Sequence, residues 1–205
     1  MSADLASAWA FIIAFAVFAY VVLDGFDLGI GILFPAFSPG AERDVAMNSV
    51  APVWDGNETW LVLGGGSLMA AFPLAYAVIF PAVYSPIIVM VLALVFRGVA
   101  FEFRWRDAGH RAFWDFAFTA GSLMAAFAQG VTLGALVQGI EVEGRAYAGG
   151  WWDWFTPFSV LTGAAPASSQ IFMLVGAAFL IPIILAYTGY SYWVFRGKVG
   201  HEGYH

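Results

Sequence analysis

Four acidic side chains lie in two short strings that a lipid-soluble chain has no ordinary reason to carry. The strings are Leu23-Asp24-Gly25-Phe26-Asp27-Leu28-Gly29 and Trp54-Asp55-Gly56-Asn57-Glu58-Thr59-Trp60. Asp24 and Asp27 are three residues apart, as are Asp55 and Glu58, so each pair shares one side of a helix. Both strings sit in or beside apolar runs long enough to cross a bilayer. An Asp at the centre of a membrane helix costs roughly 2.5–3.5 kcal/mol on insertion scales. Acids at such depth must face other helices, a partner or water. The chemistry open to them is to bind and pass protons. The competing reading is structural: hydrogen bonds to the backbone, a cap on the second helix, or ion pairs with Arg43 or Arg97. Neither pattern marks a catalytic residue.

The elements that must position these acids follow from composition. Of 205 residues, 61% are hydrophobic and 11% charged, less than half the charged share of about 25% in soluble domains. Many Phe and Gly with few Lys suit helices packed in lipid. Five spans are expected. The first runs from about Trp9 to Phe34 and stops at Pro35. The second starts near Pro52 and reaches Phe72, with Gly64-Gly65-Gly66 inside it and a turn at Pro73. The third runs from about Ala75 to Phe96, with room to extend to Phe103, kinked by Pro81 and Pro86. The fourth covers about Phe113 to Ile140. A wet aromatic loop, Glu141 to Trp154, carries Trp151, Trp152 and Trp154. The fifth covers about Gln170 to Phe195. Residues 1–7 carry an Asp and no Lys or Arg, so the first apolar run is read as a retained span rather than a signal peptide. The small-residue pairs Gly25/Gly29 and Gly130/Gly134 are candidate close contacts between helices.

Positive charge sets the expected orientation. Arg97, Arg104, Arg106 and Arg111 follow the third span, Arg196 and Lys198 follow the fifth, and Arg43 follows the first. The positive-inside rule places all three regions in the cytoplasm, giving an outer N-terminus and an inner C-terminus. Both acid pairs then fall in the cytoplasmic half, where together they would line a path for protons. Arg97, Glu102 and Arg104 cluster at the end of the third span. Arg97 is expected either to snorkel to the interface or to pair with an intramembrane acid, and its main role is read as structural.

Several function classes are excluded. There is no basic stripe and no phosphate loop, so nucleic-acid binding has no support. Cysteine is absent, which removes thiolate metal sites and iron–sulfur clusters. The histidines His110, His201 and His205 all lie in expected loops or the tail, so no haem is expected to be ligated by this chain. Three readings stay open: a proton-supplying subunit of a redox complex whose partner holds the cofactors, a proton-coupled transporter, or a purely structural scaffold. The absence of a convincing internal repeat weighs against the transporter.

Longer strings carry a family resemblance. LDGFDLGIGIL at 23–33, APVWDGNETWLVLGGG at 51–66, FRGVAFEFR at 96–104, WWDWFTPFS at 151–159, ASSQ at 167–170 and PIILAYTGYSYWVFRGK at 182–198 resemble subunit II of the cytochrome bd-type quinol oxidases. The resemblance covers nearly all of the chain. It implies a complex that oxidises quinol and reduces dioxygen to water in the bacterial inner membrane. It implies haems b and d in a partner, subunit I, which subunit II resembles in fold and stabilises. Small single-span accessory subunits and membrane lipid are further expected partners. It implies that Asp55, the Asp of WDGN, lies on a proton path to the oxygen site; Glu58, Asp24 and Asp27 are further candidates. Some members also hold a quinone in subunit II.

Members of that family are longer, with about nine helices arranged as two four-helix bundles and a peripheral helix. The expected fold is therefore all-α and polytopic: one four-helix transmembrane bundle with its outer loop over residues 1–163, then one C-terminal transmembrane helix and a short cytoplasmic tail over 164–205. The second bundle is expected to be missing between about Gly163 and Ala164. Four helices is an even number, so the final helix keeps its orientation.

Overall fold

The computed structural model describes residues 2–156. The expected fifth span and tail lie outside these residues. α1 (Ser2–Leu33) runs without a proline until Pro35, which lacks an N–H and disfavours helix in the residue before it. The chain there tightens into a single 3₁₀ turn, Phe34–Ala36. Gly40, at φ +98°, makes the sharp turn into α2 (Ala41–Val50), a short helix between the first two expected spans. Glu42 in its first turn accepts the Ser38 backbone N–H at 2.8 Å. That bond holds its carboxyl below the usual carboxylate range.

α3 (Trp54–Ala71) begins two residues after Pro52 rather than at it, because Pro52 sits in a turn closed by the Val53 N–H on the Val50 carbonyl. It runs through all three glycines. In lipid every backbone group must bond within its own segment, which outweighs weak helix propensity. Pro73 opens α4 (Pro73–Ala82), and α5 spans Tyr84–Arg106. The expected third span, a single kinked helix from Ala75, is therefore corrected: the chain breaks at Val83. Pro81 and Pro86 each lack an N–H, five residues apart. The Val83 N–H is shared between the Ile79 and Phe80 carbonyls, both at 3.3 Å.

A 3₁₀ turn, Ala108–His110, leads into α6 (Arg111–Gln138). In that turn His110 Nδ1 lies 2.9 Å from Asp107 Oδ2 and holds the Asp107 carboxyl below its usual range. The aromatic loop contains a two-stranded antiparallel hairpin, β1 (Val142–Glu143) and β2 (Ala146–Tyr147), turned by Gly144 at φ +62°. Beyond it the Asp153 carboxylate accepts the Gly150 N–H at 2.6 Å, and the exposed Trp151 and Trp152 rings pack together.

Among the described residues, three helices are long and apolar enough to cross a membrane: Leu5–Ala36, Tyr84–Arg106 and Ala108–Gln138. At about 1.5 Å per residue, the 23 residues of α5 alone exceed the hydrocarbon thickness of about 30 Å. α3 has 18 residues and carries Asp55 and Glu58, and is not among the three. α5 packs on α6, and α1 packs against both α3 and α6. One apolar cluster joins Phe34, Met47, Val50, Phe101 and Phe118 near α2; a second joins Leu28, Met90, Leu94 and Ala125. Large apolar side chains such as Phe11, Val62 and Phe116 point outward.

Glycines set close helix approaches at Gly121 and Gly31. A Cβ on Gly121 would meet the Ala93 carbonyl oxygen at 2.7 Å. One on Gly31 would overlap the Ser122 hydroxyl. Gly25, Gly29 and Gly130 have no such neighbour within 4 Å.

Candidate functional site

Between the two apolar clusters the bundle encloses a polar one. α1 contributes Asp24 and Asp27, both fully buried. α5 contributes Arg97, also fully buried, and α3 contributes Asn57 and Glu58. Arg97 Nη1 donates to Glu58 Oε1 at 2.9 Å and lies 3.5 Å from Asp24 Oδ1; its Nη2 lies 3.9 Å from Asp27 Oδ2. Asn57 Nδ2 donates to Asp27 Oδ2 at 2.7 Å and reaches the Leu23 carbonyl at 3.5 Å. The Phe101 and Phe118 rings flank the guanidinium, with centroids 5.5 and 5.9 Å from its carbon. Such rings favour a cation over their faces and keep water out.

The charge balance is the telling property. Three carboxyls converge on one guanidinium, so full ionisation leaves two uncompensated negative charges in a site that reaches water only through the partly exposed Glu58. The hydrogen bonding is also incomplete. Both oxygens of Asp24, Oδ1 of Asp27, and Nε and Nη2 of Arg97 are buried without a hydrogen bond of good geometry. A buried polar atom left unpaired costs about 1–3 kcal/mol. Tyr20 and Gln129 are the further polar neighbours of Asp24.

A second ionic cluster lies about two turns farther along the same face of α5, near α2. Arg104, almost fully buried, donates from Nη1 to Asp44 at 2.7 Å and from Nε to Asp115 at 2.5 Å. Arg43 Nη1 donates to the other Asp115 oxygen at 2.8 Å. Its guanidinium groups are matched by carboxylates, so it reads as a clamp fastening α2 to α5 and α6.

The structure brings together three of the four candidate acids. Asp24, Asp27 and Glu58 share Arg97, whereas Asp55 is exposed in the first turn of α3, outside the cluster. It remains close enough to interact electrostatically with Glu58. Arg97 does not snorkel; it takes the alternative of pairing with intramembrane acids. Arg43 pairs with Asp115 rather than with either acidic string. Arg97, Glu102 and Arg104 do not cluster: Glu102 bonds Arg106 on the exposed side of α5. Tyr20, Asn57, Gln129, Asp44 and Asp115 went unnoticed in the sequence. Tyr20 had a signal, its four-residue spacing from Asp24, whereas Gln129 meets it across 109 positions of chain. No group of three His, Cys, Asp or Glu among the described residues is placed to hold a metal. The one described histidine, His110, is on a loop turn rather than inside the bundle.

Residues 5–166 match the family described as cytochrome bd terminal oxidase subunit II. Cytochrome bd-I ubiquinol oxidase subunit 2 of Escherichia coli strain K12 is 33% identical over 180 residues, covering 84% of this chain and 47% of that protein. The probable cytochrome oxidase subunit 2 of Haemophilus influenzae is 33% identical over 171 residues, covering 80% and 45%. Cytochrome bd ubiquinol oxidase subunit 2 of Bacillus subtilis strain 168 is 37% identical over 145 residues, covering 69% and 43%. The chain thus spans slightly under half the length of these curated relatives.

Proposed function

The chain belongs to the cytochrome bd terminal oxidase subunit II family, and on that premise we propose that it is the non-haem subunit of a respiratory quinol:oxygen oxidoreductase in the bacterial cell membrane. In this reading haems b and d, quinol oxidation and dioxygen reduction belong to the partner subunit I. This chain supports that partner and helps supply its protons from the cytoplasm. The N-terminus lies outside, as the Arg positions suggest.

One observation carries the proton reading: two buried carboxyls, Asp24 and Asp27, and the partly exposed Glu58 share the single guanidinium of Arg97. Each proton bound by a carboxylate oxygen brings the cluster closer to neutrality. Asp55, exposed at the start of α3, is suited to collect protons at the cytoplasmic end. Glu58, one turn on and with 22% of its side chain exposed, links that mouth to Asp24 and Asp27 through the Arg97 fork. The guanidinium does not transfer protons; it holds the carboxyls close together.

Asp55→Asn and Glu58→Gln preserve size and remove the exchangeable proton. In the complex assembled from the full chain and its partner, each should slow quinol-driven oxygen consumption on the order of tenfold or more. Haem absorbance of the partner should be unchanged. Full turnover in both assembled variants would refute the proton path and leave the acids as structural groups. A tagged chain that purifies as a haem-free homomer would refute the oxidase reading itself.

A further inference from the structure

We infer that Asn57 is a positioning residue that decides which oxygen of Asp27 takes a proton: its amide engages Oδ2 and leaves Oδ1 as the acceptor. The inference rests on the proton-handling reading above and deepens it. Asn57 is buried near the start of α3. Its backbone N–H already bonds the Val53 carbonyl at 3.0 Å, so its side chain is not needed to satisfy its own helix. Instead Nδ2 reaches across to α1, donating to Asp27 Oδ2 at 2.7 Å and meeting the Leu23 carbonyl at 3.5 Å. Both partners are acceptors, so the amide must present its nitrogen and not its oxygen. Gly64 lies about two turns on along the same face of α3. A Cβ there would meet Val17 Cγ2 at 3.2 Å, so this face of α3 is held close against α1.

The two oxygens of Asp27 are consequently unlike. The Asn57 amide faces Oδ2, as does Arg97 Nη2 at 3.9 Å. Oδ1 is buried with no hydrogen-bond donor among the described residues. A carboxyl that binds a proton becomes one O–H and one C=O. A proton on Oδ2 would set its O–H against the amide N–H, donor against donor. A proton on Oδ1 leaves Oδ2 as the carbonyl oxygen, which keeps its bond to Asn57. The same amide therefore serves the carboxylate and the neutral acid without moving. The proton arrives from a neighbouring carboxyl, which is left ionised, or from water beside Glu58. Asn57 does not carry it, because a neutral amide donates hydrogen bonds without giving up its protons.

The test uses the full chain assembled with its partner and takes infrared difference spectra between acidic and alkaline samples. The band of interest is the C=O stretch of protonated Asp27, the one that Asp27→Asn removes. Its frequency rises when the carbonyl oxygen loses a hydrogen-bond donor. Asn57→Leu should therefore move this band to higher wavenumber. It should also lower quinol-driven oxygen consumption on the order of tenfold, the factor of one hydrogen bond to a charged group, at unchanged haem content. Asn57→Ser carries the test if Asn57→Leu fails to assemble. Its hydroxyl is too short to reach Asp27 and turns to the Val53 carbonyl of its own helix, so the same shift is expected. An asparagine that only glues α1 to α3 would leave the band in place. An unmoved band in the assembled variant, or the absence of any band that Asp27→Asn removes, would overturn the inference. Full turnover in Asp27→Asn would instead overturn the proton reading on which it rests, so the two failures are distinct.

Discussion

Removing the Arg97 guanidinium should expose how much the buried carboxyls depend on it. In Arg97→Gln, three carboxyls lose the cation that stood 2.9, 3.5 and 3.9 Å away. Coulomb's law at an effective dielectric of about 20 assigns about 5 kcal/mol to a pair near 3.5 Å. Desolvation of both partners offsets much of that. Breaking a buried pair by removing one partner costs about 3–5 kcal/mol in practice, because the survivors are left uncompensated. A loss of about 3 kcal/mol is more than a hundredfold in an equilibrium constant. The assay is a titration of the purified complex from mild detergent into SDS, followed by tryptophan fluorescence. Arg97→Gln should unfold at markedly lower SDS. Adding Asp24→Asn removes one stranded anion and should recover part of the loss, a coupling of about 1–3 kcal/mol. The reasoning fails if Arg97→Gln matches the parent within about 0.5 kcal/mol. It also fails if the two single losses simply add in the double variant.

Gly121→Ala should destabilise the bundle by about 1–3 kcal/mol in the same titration, because its Cβ would press on the Ala93 carbonyl oxygen rather than on a side chain that can turn away. Gly25→Ala and Gly130→Ala, in open space, should be neutral or mildly stabilising by up to about 1 kcal/mol. Reporter fusions after Gly40, Gly109, Gly149 and Lys198 should read inside, inside, outside and inside; an outside reading after Gly109 would overturn the charge-derived orientation.

The mostly helical, lipid-facing character of the described residues was legible in the sequence, because the bilayer leaves so few options. A backbone in hydrocarbon must bond to itself, and apolar runs interrupted by Pro35 and Pro73 state where the helices stop. The three-residue spacing of Asp24 and Asp27 places both on one side of α1, and both prove buried. The same spacing says less for Asp55 and Glu58. At 3.6 residues per turn, three residues still leave about 60° between two side chains. That angle is enough to turn one outward while the other meets Arg97. Whether Pro81 and Pro86 kink a helix or break it was equally beyond local reading, since it depends on which backbone groups near Val83 find new partners.

What only the tertiary structure decided is which charges share a space. Asp24 and Arg97 are 73 residues apart, and Tyr20 and Gln129 are 109. Nothing local to any of them specifies the other. Their meeting depends on the rotation of each helix about its axis, and that rotation is set by contacts such as Gly121 against Ala93 and Gly31 against Ser122. Composition and spacing therefore determined that this chain lives in a membrane and carries acids there for a reason. The packing of α1 against α3 and α6, and of α5 against α6, decided that three of those acids would surround one arginine. The fourth stayed at the surface, because close packing selects one helix face for the interior and leaves the adjacent one outside.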